Sequence, residues 1–341
     1  MLKPYISKIV EKIDLFEKEA IEAMNIIMDG NATQAQIGSF ITGLRMKGET
    51  IDEITGFARV MRMKAERIDA NVDFSVDTCG TGGDGANTFN VSTAAAFVVA
   101  AAGVPVAKHG NRSVSSMCGS ADVLEALGCR IDLEPFQVKE CIENIGIGFM
   151  FAPNFHKSMK NAAGPRRELG IRTVFNILGP LTNPASARGQ LMGVFKPELT
   201  EVMAQVLNRL GTEKALVVHG SDGLDEITIG GLTMVSELCG GEVKSYTINP
   251  EDYGIERKAI SNARGGDKVQ NAGIIKDVLG GKEGAARDMV LLNSAAALYV
   301  GRKVDSITQG VKLAAEMIDS GKALTKLSEF IKLTNSMAVT A

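Results

Sequence analysis

The sequence predicts an α/β fold, a mainly parallel sheet flanked by helices, preceded by a small all-helical N-terminal domain. Three observations predict it. The chain has 341 residues, which corresponds to about two domains at roughly 150 residues each. Its first part carries helical periodicity without a convincing strand. From Phe74 onward, short β-rich runs alternate with helical stretches, the pattern of a parallel sheet covered by helices.

Taken in order, Ile6, Ile9, Val10, Ile13 and Phe16 recur at helical spacing, with Lys and Glu on the other face. A second helix is expected from about Asp14 to Met28, stopping at Asp29-Gly30-Asn31. Thr33 opens a third helix and Thr50 a fourth, which runs to Arg62. Asp52 and Glu53 suit a helix N-terminus, and Gly30 and Gly48 suit helix ends or turns. Strands are expected at Phe74 to Thr78, Val104 to Lys108 and Ala215 to His219, each leading through a polar, glycine-containing loop to a helix. Gly179, Pro180 and Pro184 mark a break between units. From Gly284 the chain reads as helical again.

Composition removes several functional classes. The formal charge is −3, from 37 basic and 40 acidic residues, so no broadly basic nucleic-acid surface is expected. The five cysteines include no C-x-x-C pair and no histidine at ligand spacing, so reduced thiols are expected rather than a disulfide framework or metal cluster. The longest apolar stretch, Ala94 to Gly103, is about half of what spans a bilayer. A soluble, cytoplasmic protein without a membrane partner is the expectation.

Glycine is over-represented, with 37 residues against a typical share of about 7%. Four fall in one loop, Gly80-Thr81-Gly82-Gly83-Asp84-Gly85, after the first strand. Gly80, Gly82 and Gly85 match G-x-G-x-x-G, but Asn87-Thr88-Phe89-Asn90 separates them from the next helix. The second strand also ends at Lys108, where a dinucleotide fold places an acid. An anion cradle fits better: glycines let backbone N–H groups approach phosphate oxygens, and a helix starting near Asn90–Ser92 adds its positive end. The second loop, Lys108 to Ser120, carries Lys108, Arg112 and the hydroxyls of Ser113, Ser115, Ser116 and Ser120, a second oxyanion-binding surface. Two such loops suit a ligand with phosphates at both ends. The third loop places Asp225 and Glu226 after the strand ending at His219; hard oxygens there suit Mg²⁺ bound with waters and phosphates. A fourth stretch carries Arg166, Arg167 and Arg172. These suit carboxylate recognition, although all three cannot share one helix face.

With these four loops in hand, the chain resembles the anthranilate phosphoribosyltransferase family along nearly its whole length. The resemblance rests on Ala35-Gln36-Ile37-Gly38, Leu44 to Thr50, Gly80 to Asp84, Lys108 to Arg112, Arg167 to Arg172, Asn176 to Pro184, Leu224-Asp225-Glu226, Arg264 to Asp267 and Leu292 to Ala297. It implies a homodimer, with a helical domain at 1–70 joined by about 164–190 and an α/β domain at 71–341. It implies transfer of phosphoribosyl from 5-phosphoribosyl diphosphate (PRPP) to the amine of anthranilate, releasing diphosphate, in tryptophan biosynthesis. The positions implied for PRPP are Gly80, Gly83, Asp84, Thr88, Asn90, Val91, Ser92, Thr93, Lys108 and Ser120. Those implied for anthranilate are Gly80, Asn111, Arg166, His109 and His156, and those for Mg²⁺ are Ser92, Asp225 and Glu226. In one departure, Lys157 follows His156 where the family often has proline. A pyrimidine nucleoside phosphorylase is disfavoured because its Lys-His-Ser-Thr-Gly-Gly pattern and extra C-terminal domain are missing. A nucleic-acid-binding relative is disfavoured by the charge and by Asp225-Glu226.

Overall fold

The computed structural model describes residues 1–113 and 117–337. Its N-terminal part is four helices, α1 (Lys3–Val10), α2 (Glu17–Met28), α3 (Gln34–Lys47) and α4 (Ile51–Lys64). The Thr33 and Thr50 hydroxyls accept the N–H groups of Gln36 and Glu53, so both threonines cap as expected. The first periodic run does not continue as one helix. Lys12 has φ 59°, a left-handed turn that reverses the chain, so Ile13 and Phe16 are 46% and 72% exposed instead of facing the core. Leu15 is buried in their place. The second helix starts at Glu17 rather than Asp14, where the Glu19 carboxylate accepts the Phe16 N–H at 3.1 Å.

The larger part is built on seven strands: β1 (Val76–Gly80), β2 (Val106–Gly110), β3 (Ile147–Phe151), β4 (Gly189–Gly193), β5 (Lys214–Gly220), β6 (Thr233–Cys239) and β7 (Glu242–Ile248). Their order is β3-β2-β1-β4-β5-β6-β7. The first five are parallel, and β6 and β7 add an antiparallel edge. The expected strands at Phe74 and Val104 each begin two residues later, because the first turns of chain are spent entering the sheet. β1 is flanked by β2 on one side and β4 on the other, so the connections diverge there. In open parallel sheets the crevice at the carboxyl ends beside such a divergence is where ligands bind.

The remaining helices are α5 (Val91–Ala101), α6 (Ser120–Leu127), α7 (Pro135–Ile145), α8 (Ala152–Phe155), α9 (Lys160–Leu169), α10 (Phe175–Leu178), α11 (Leu199–Arg209), α12 (Lys268–Leu279), α13 (Ala285–Val300), α14 (Ile307–Asp319) and α15 (Lys322–Ser336). Two apolar clusters cover the sheet. One contains α5, α6, α13 and α15 with the β1–β3 side. The other joins α1–α4 to Ala162, Phe175, Leu178 and Leu181, to Met192, Ala215 and Val217 of β4 and β5, and to Val194 just after β4. The helical layer is therefore seated on one face of the sheet through a shared core, and the stretch around Gly179 and Pro180 belongs to that seam. Among the described residues, no helix is long and apolar enough to cross a membrane.

Candidate active site

The loop after β1 leaves the sheet at Gly80, and Gly82, Gly83 and Gly85 all take positive φ, a conformation that costs glycine little. The Gly82 N–H donates to the Asp225 carboxylate at 2.6 Å, tying the glycine loop to the loop after β5. Two glycines make room for Asp225. A Cβ on Gly80 would lie 2.4 Å from its Oδ2, and one on Gly193 would lie 1.5 Å from its backbone oxygen. Asn293, buried on α13, clasps the same loop by accepting the Ile227 N–H at 3.0 Å and donating to the Ile227 carbonyl at 2.9 Å.

The N-terminus of α5 meets these loops. Val91 is its first residue, and Asn90 donates to the Cys118 carbonyl at 3.1 Å and accepts from Asn271 at 3.0 Å. Thr88 bridges to Arg264, and the Gly265 N–H donates to Asn87, so the Arg264–Asp267 stretch braces the glycine loop from outside. Lys108 is buried, with its ammonium on the Thr78 carbonyl and 3.3 Å from the Ser92 hydroxyl. Burial lowers its pKa, and Asp77, Cys79 and Glu226 oppose that shift. Burial likewise raises the Asp225 carboxyl to about 7, assisted by the charge of Asp84. Glu226 is pushed well above the usual carboxylate range by burial first and then by Asp225. These acids crowd negative charge that a bound cation would relieve. Among the described residues, no three or more His, Cys, Asp or Glu side chains are grouped to hold a metal alone. The donors present are hard oxygens too few for a full shell, which fits Mg²⁺ completed by waters and substrate phosphates.

One expectation needs correction. Arg112 is not a free oxyanion receptor. Its guanidinium is engaged by Glu125 at 2.6 and 2.7 Å and by Asp122 at 3.0 Å, because α6 brings both acids beneath the loop. The Thr93 hydroxyl is buried in a small void beside Phe97 and Phe149, with no hydrogen-bond partner among the described residues. His219 lies in β5, as the expected strand has it, with Nδ1 2.7 Å from the Val194 carbonyl oxygen. Ser120 donates to the Asn111 carbonyl at 3.3 Å, while Ser115 and Ser116 lie outside the described residues.

A second wall faces the helical layer. His109 and His156 are both buried, with ring centroids 5.0 Å apart. Burial lowers their pKa values to about 3 and about 4, with the neighbouring ring adding to the shift at His109, so both are neutral at pH 7. Their Nε2 atoms have no partner among the described residues. Lys157 points away to Glu66 at 3.3 Å, so the residue following His156 leaves that ring in place. Arg166, half-buried on α9, lies over the Phe175 ring at 5.1 Å with no acid partner among the described residues. Arg167 is exposed, and Arg172 donates to the Gly83 carbonyl at 3.2 Å over the Phe195 ring. The three arginines thus separate into an uncommitted guanidinium, a solvated one and a brace on the glycine loop.

Family comparisons agree with this layout. Residues 3–65 match the glycosyl transferase family, helical bundle domain, and residues 73–324 match the glycosyl transferase family, a/b domain. Anthranilate phosphoribosyltransferase of Acetivibrio thermocellus is 65% identical over 336 residues, 98% of this chain and 97% of that one. The chain belongs to the anthranilate phosphoribosyltransferase family. The Moorella thermoacetica enzyme of the same name is 56% identical, over 99% of this chain and 100% of its own. The crystal structure of anthranilate phosphoribosyltransferase from Thermus thermophilus superposes with a TM-score of 0.93 at 41% identity, covering 97% of this chain and 99% of that one. The Saccharomyces cerevisiae enzyme in complex with PRPP and Mg gives 0.90 at 29% identity, covering 98% of each. Phosphoribosyl transfer to anthranilate, a pentosyltransferase reaction of tryptophan biosynthesis, is accordingly the activity of this anthranilate phosphoribosyltransferase family member.

Proposed function

We propose that the two walls divide the reaction between them. PRPP lies along the loop after β1 and the N-terminus of α5, held through Gly80, Gly83, Asp84, Thr88, Asn90, Val91, Ser92, the backbone of Thr93, Lys108 and Ser120. Anthranilate enters from the side of Arg166, Asn111, His109 and His156, next to Gly80. The helical unit, 1–70 with about 164–190, supplies Arg166 to the acceptor side, and the α/β unit, 71–341, supplies the donor side together with Asn111, His109 and His156. The observation that carries the reading is the glycine loop fastened to Asp225 by Gly82, with Glu226 beside the first turn of α5.

The chemistry follows from charge. Breaking the C1–O bond leaves positive charge on the ribose and negative charge on diphosphate. The glycine-loop N–H groups, the α5 N-terminus and Lys108 face the developing anion, where preorganised donors lower the barrier. Ser92, Asp225 and Glu226 would hold Mg²⁺, which when bound neutralises charge on the diphosphate. Anthranilate brings a neutral amine, so positioning supplies much of the rate. Arg166 pairs with its carboxylate, and the neutral His109 and His156 add no positive charge near the ribose. We also propose a homodimer, supported by the exposed apolar residues Val10 on α1 and Met46 on α3, and a cytoplasmic setting, which suits five free cysteines.

Arg166→Ala tests the acceptor assignment. A hydrogen-bonded charge pair is worth roughly 1.5–3 kcal/mol, so the anthranilate KM is expected to rise about 10- to 100-fold. The PRPP KM is expected to stay near its parent value. Steady-state kinetics with each substrate varied separates the two, and equal loss for both would place Arg166 elsewhere.

A further inference from the structure

The segment Gly179-Pro180-Leu181-Thr182 runs along the seam between the helical layer and the sheet, and side chains from two other elements hold its Pro180 and Leu181 carbonyls. Asn183, the next residue, ties the segment to the strand that carries His109: it donates to the Ala107 carbonyl and to the Asp77 carboxylate at 2.8 Å each, and Asp77 accepts the His109 N–H at 3.2 Å. The His156 ring centroid lies 5.0 Å from that of His109. Gln190, buried on β4, donates to the Pro180 carbonyl at 2.6 Å. The Leu181 carbonyl is taken by Arg62, near the end of α4, at 2.6 Å.

Arg62 is unusual in its own right. It is half-buried, has no acid partner among the described residues, and burial pushes its pKa down to about 10. A guanidinium removed from water without a counter-ion costs free energy unless its donors are well used. Among the described residues they serve two carbonyls, Leu181 and, at 3.1 Å, Leu210 at the end of α11. The latter is the negative end of a helix, where a cation is favoured. Arg62 therefore fastens α4 both to α11 and to the segment that Asn183 ties to the strand of His109.

We propose that Arg62 is a positioning residue for the acceptor, acting through the Leu181 carbonyl to set the Gly179–Thr182 segment and, with it, the rings of His109 and His156. This rests on the assignment of those histidines to the anthranilate side. Arg62→Met keeps the apolar stem and removes every donor; Arg62→Lys keeps one flexible donor. The expected result for Arg62→Met is an anthranilate KM raised about tenfold, since small misplacements at a site are costly, with the PRPP KM within about twofold of the parent. Arg62→Lys should fall between the two. A second readout is direct, because the chain has only three histidines. In the imidazole NMR spectrum of Arg62→Met, the resonances of His109 and His156 should shift and titrate closer to the ordinary range, while those of His219 stay put.

An unchanged anthranilate KM together with unchanged His109 and His156 resonances overturns the proposal, as does an equal rise in both KM values. If Arg62→Met does not fold, the same criteria apply to Arg62→Lys. Arg166→Ala run in parallel separates the two levels. A parent-like anthranilate KM in Arg166→Ala removes the acceptor assignment itself. A raised value there, with a parent-like Arg62→Met, removes only the role of Arg62.

Discussion

Replacing Glu226 by alanine is expected to lower kcat/KM by about two to three orders of magnitude, the range found when one preorganised electrostatic group at a reacting centre is removed. Whatever activity remains should be recoverable only at raised Mg²⁺. Stability should behave in the opposite sense. Burial and the neighbouring Asp225 already oppose the charged form of Glu226, so the metal-free variant is expected to melt no lower than the parent. Function held at the expense of stability is what a charge-crowded site entails. Activity titrated against Mg²⁺, with thermal melts in chelator, checks both halves. A variant that is indifferent to magnesium, or that loses activity only because it melts, contradicts the assignment.

Gly193→Ala is expected to damage the same site from behind. An added Cβ would stand 1.5 Å from the Asp225 backbone oxygen and 2.3 Å from its carbonyl carbon, so the backbone itself must move. Overpacking of this kind costs about 3 kcal/mol. Displacing Asp225 should also reduce turnover by about 100-fold. Gly273→Ala is the control: it lies within α12 and its Cβ would meet nothing within 4 Å. There, gains of about 0.5–1 kcal/mol are expected. Denaturant unfolding of the two variants side by side decides, and parent-like stability with parent-like activity for Gly193→Ala would show that the sheet accommodates the methyl.

The parts of this site that could be read from the sequence are the local ones. Glycines placed directly after a strand, hydroxyls at the start of a helix and adjacent acids at a strand end each state their chemistry within a few residues, and the structure brings them to one crevice. The fold class was legible for the same reason, since alternation of strand and helix is a short-range pattern. What could not be read depends on distant partners. Nothing near Gly193 announces that Asp225 will press against it, and nothing near Asn293 announces the loop it clasps. Arg112 looked like an anion receptor because Glu125 lies one helix later, and nothing near Arg62 announces the Leu181 and Leu210 carbonyls it reaches. Ile13 and Phe16 kept helical spacing across a turn that Lys12 makes by its backbone alone.

The central claim is that phosphoribosyl transfer takes place between a magnesium-assisted donor wall and a separate acceptor wall. Its most direct test mixes the purified protein with anthranilate and PRPP, first in chelator and then with Mg²⁺ restored, and follows anthranilate fluorescence. The account predicts a loss of fluorescence that requires PRPP, stops in chelator and returns with Mg²⁺. Transfer that runs unchanged in chelator would contradict the metal assignment, and no PRPP-dependent loss, with phosphorolysis of uridine or thymidine instead, would contradict the reaction itself.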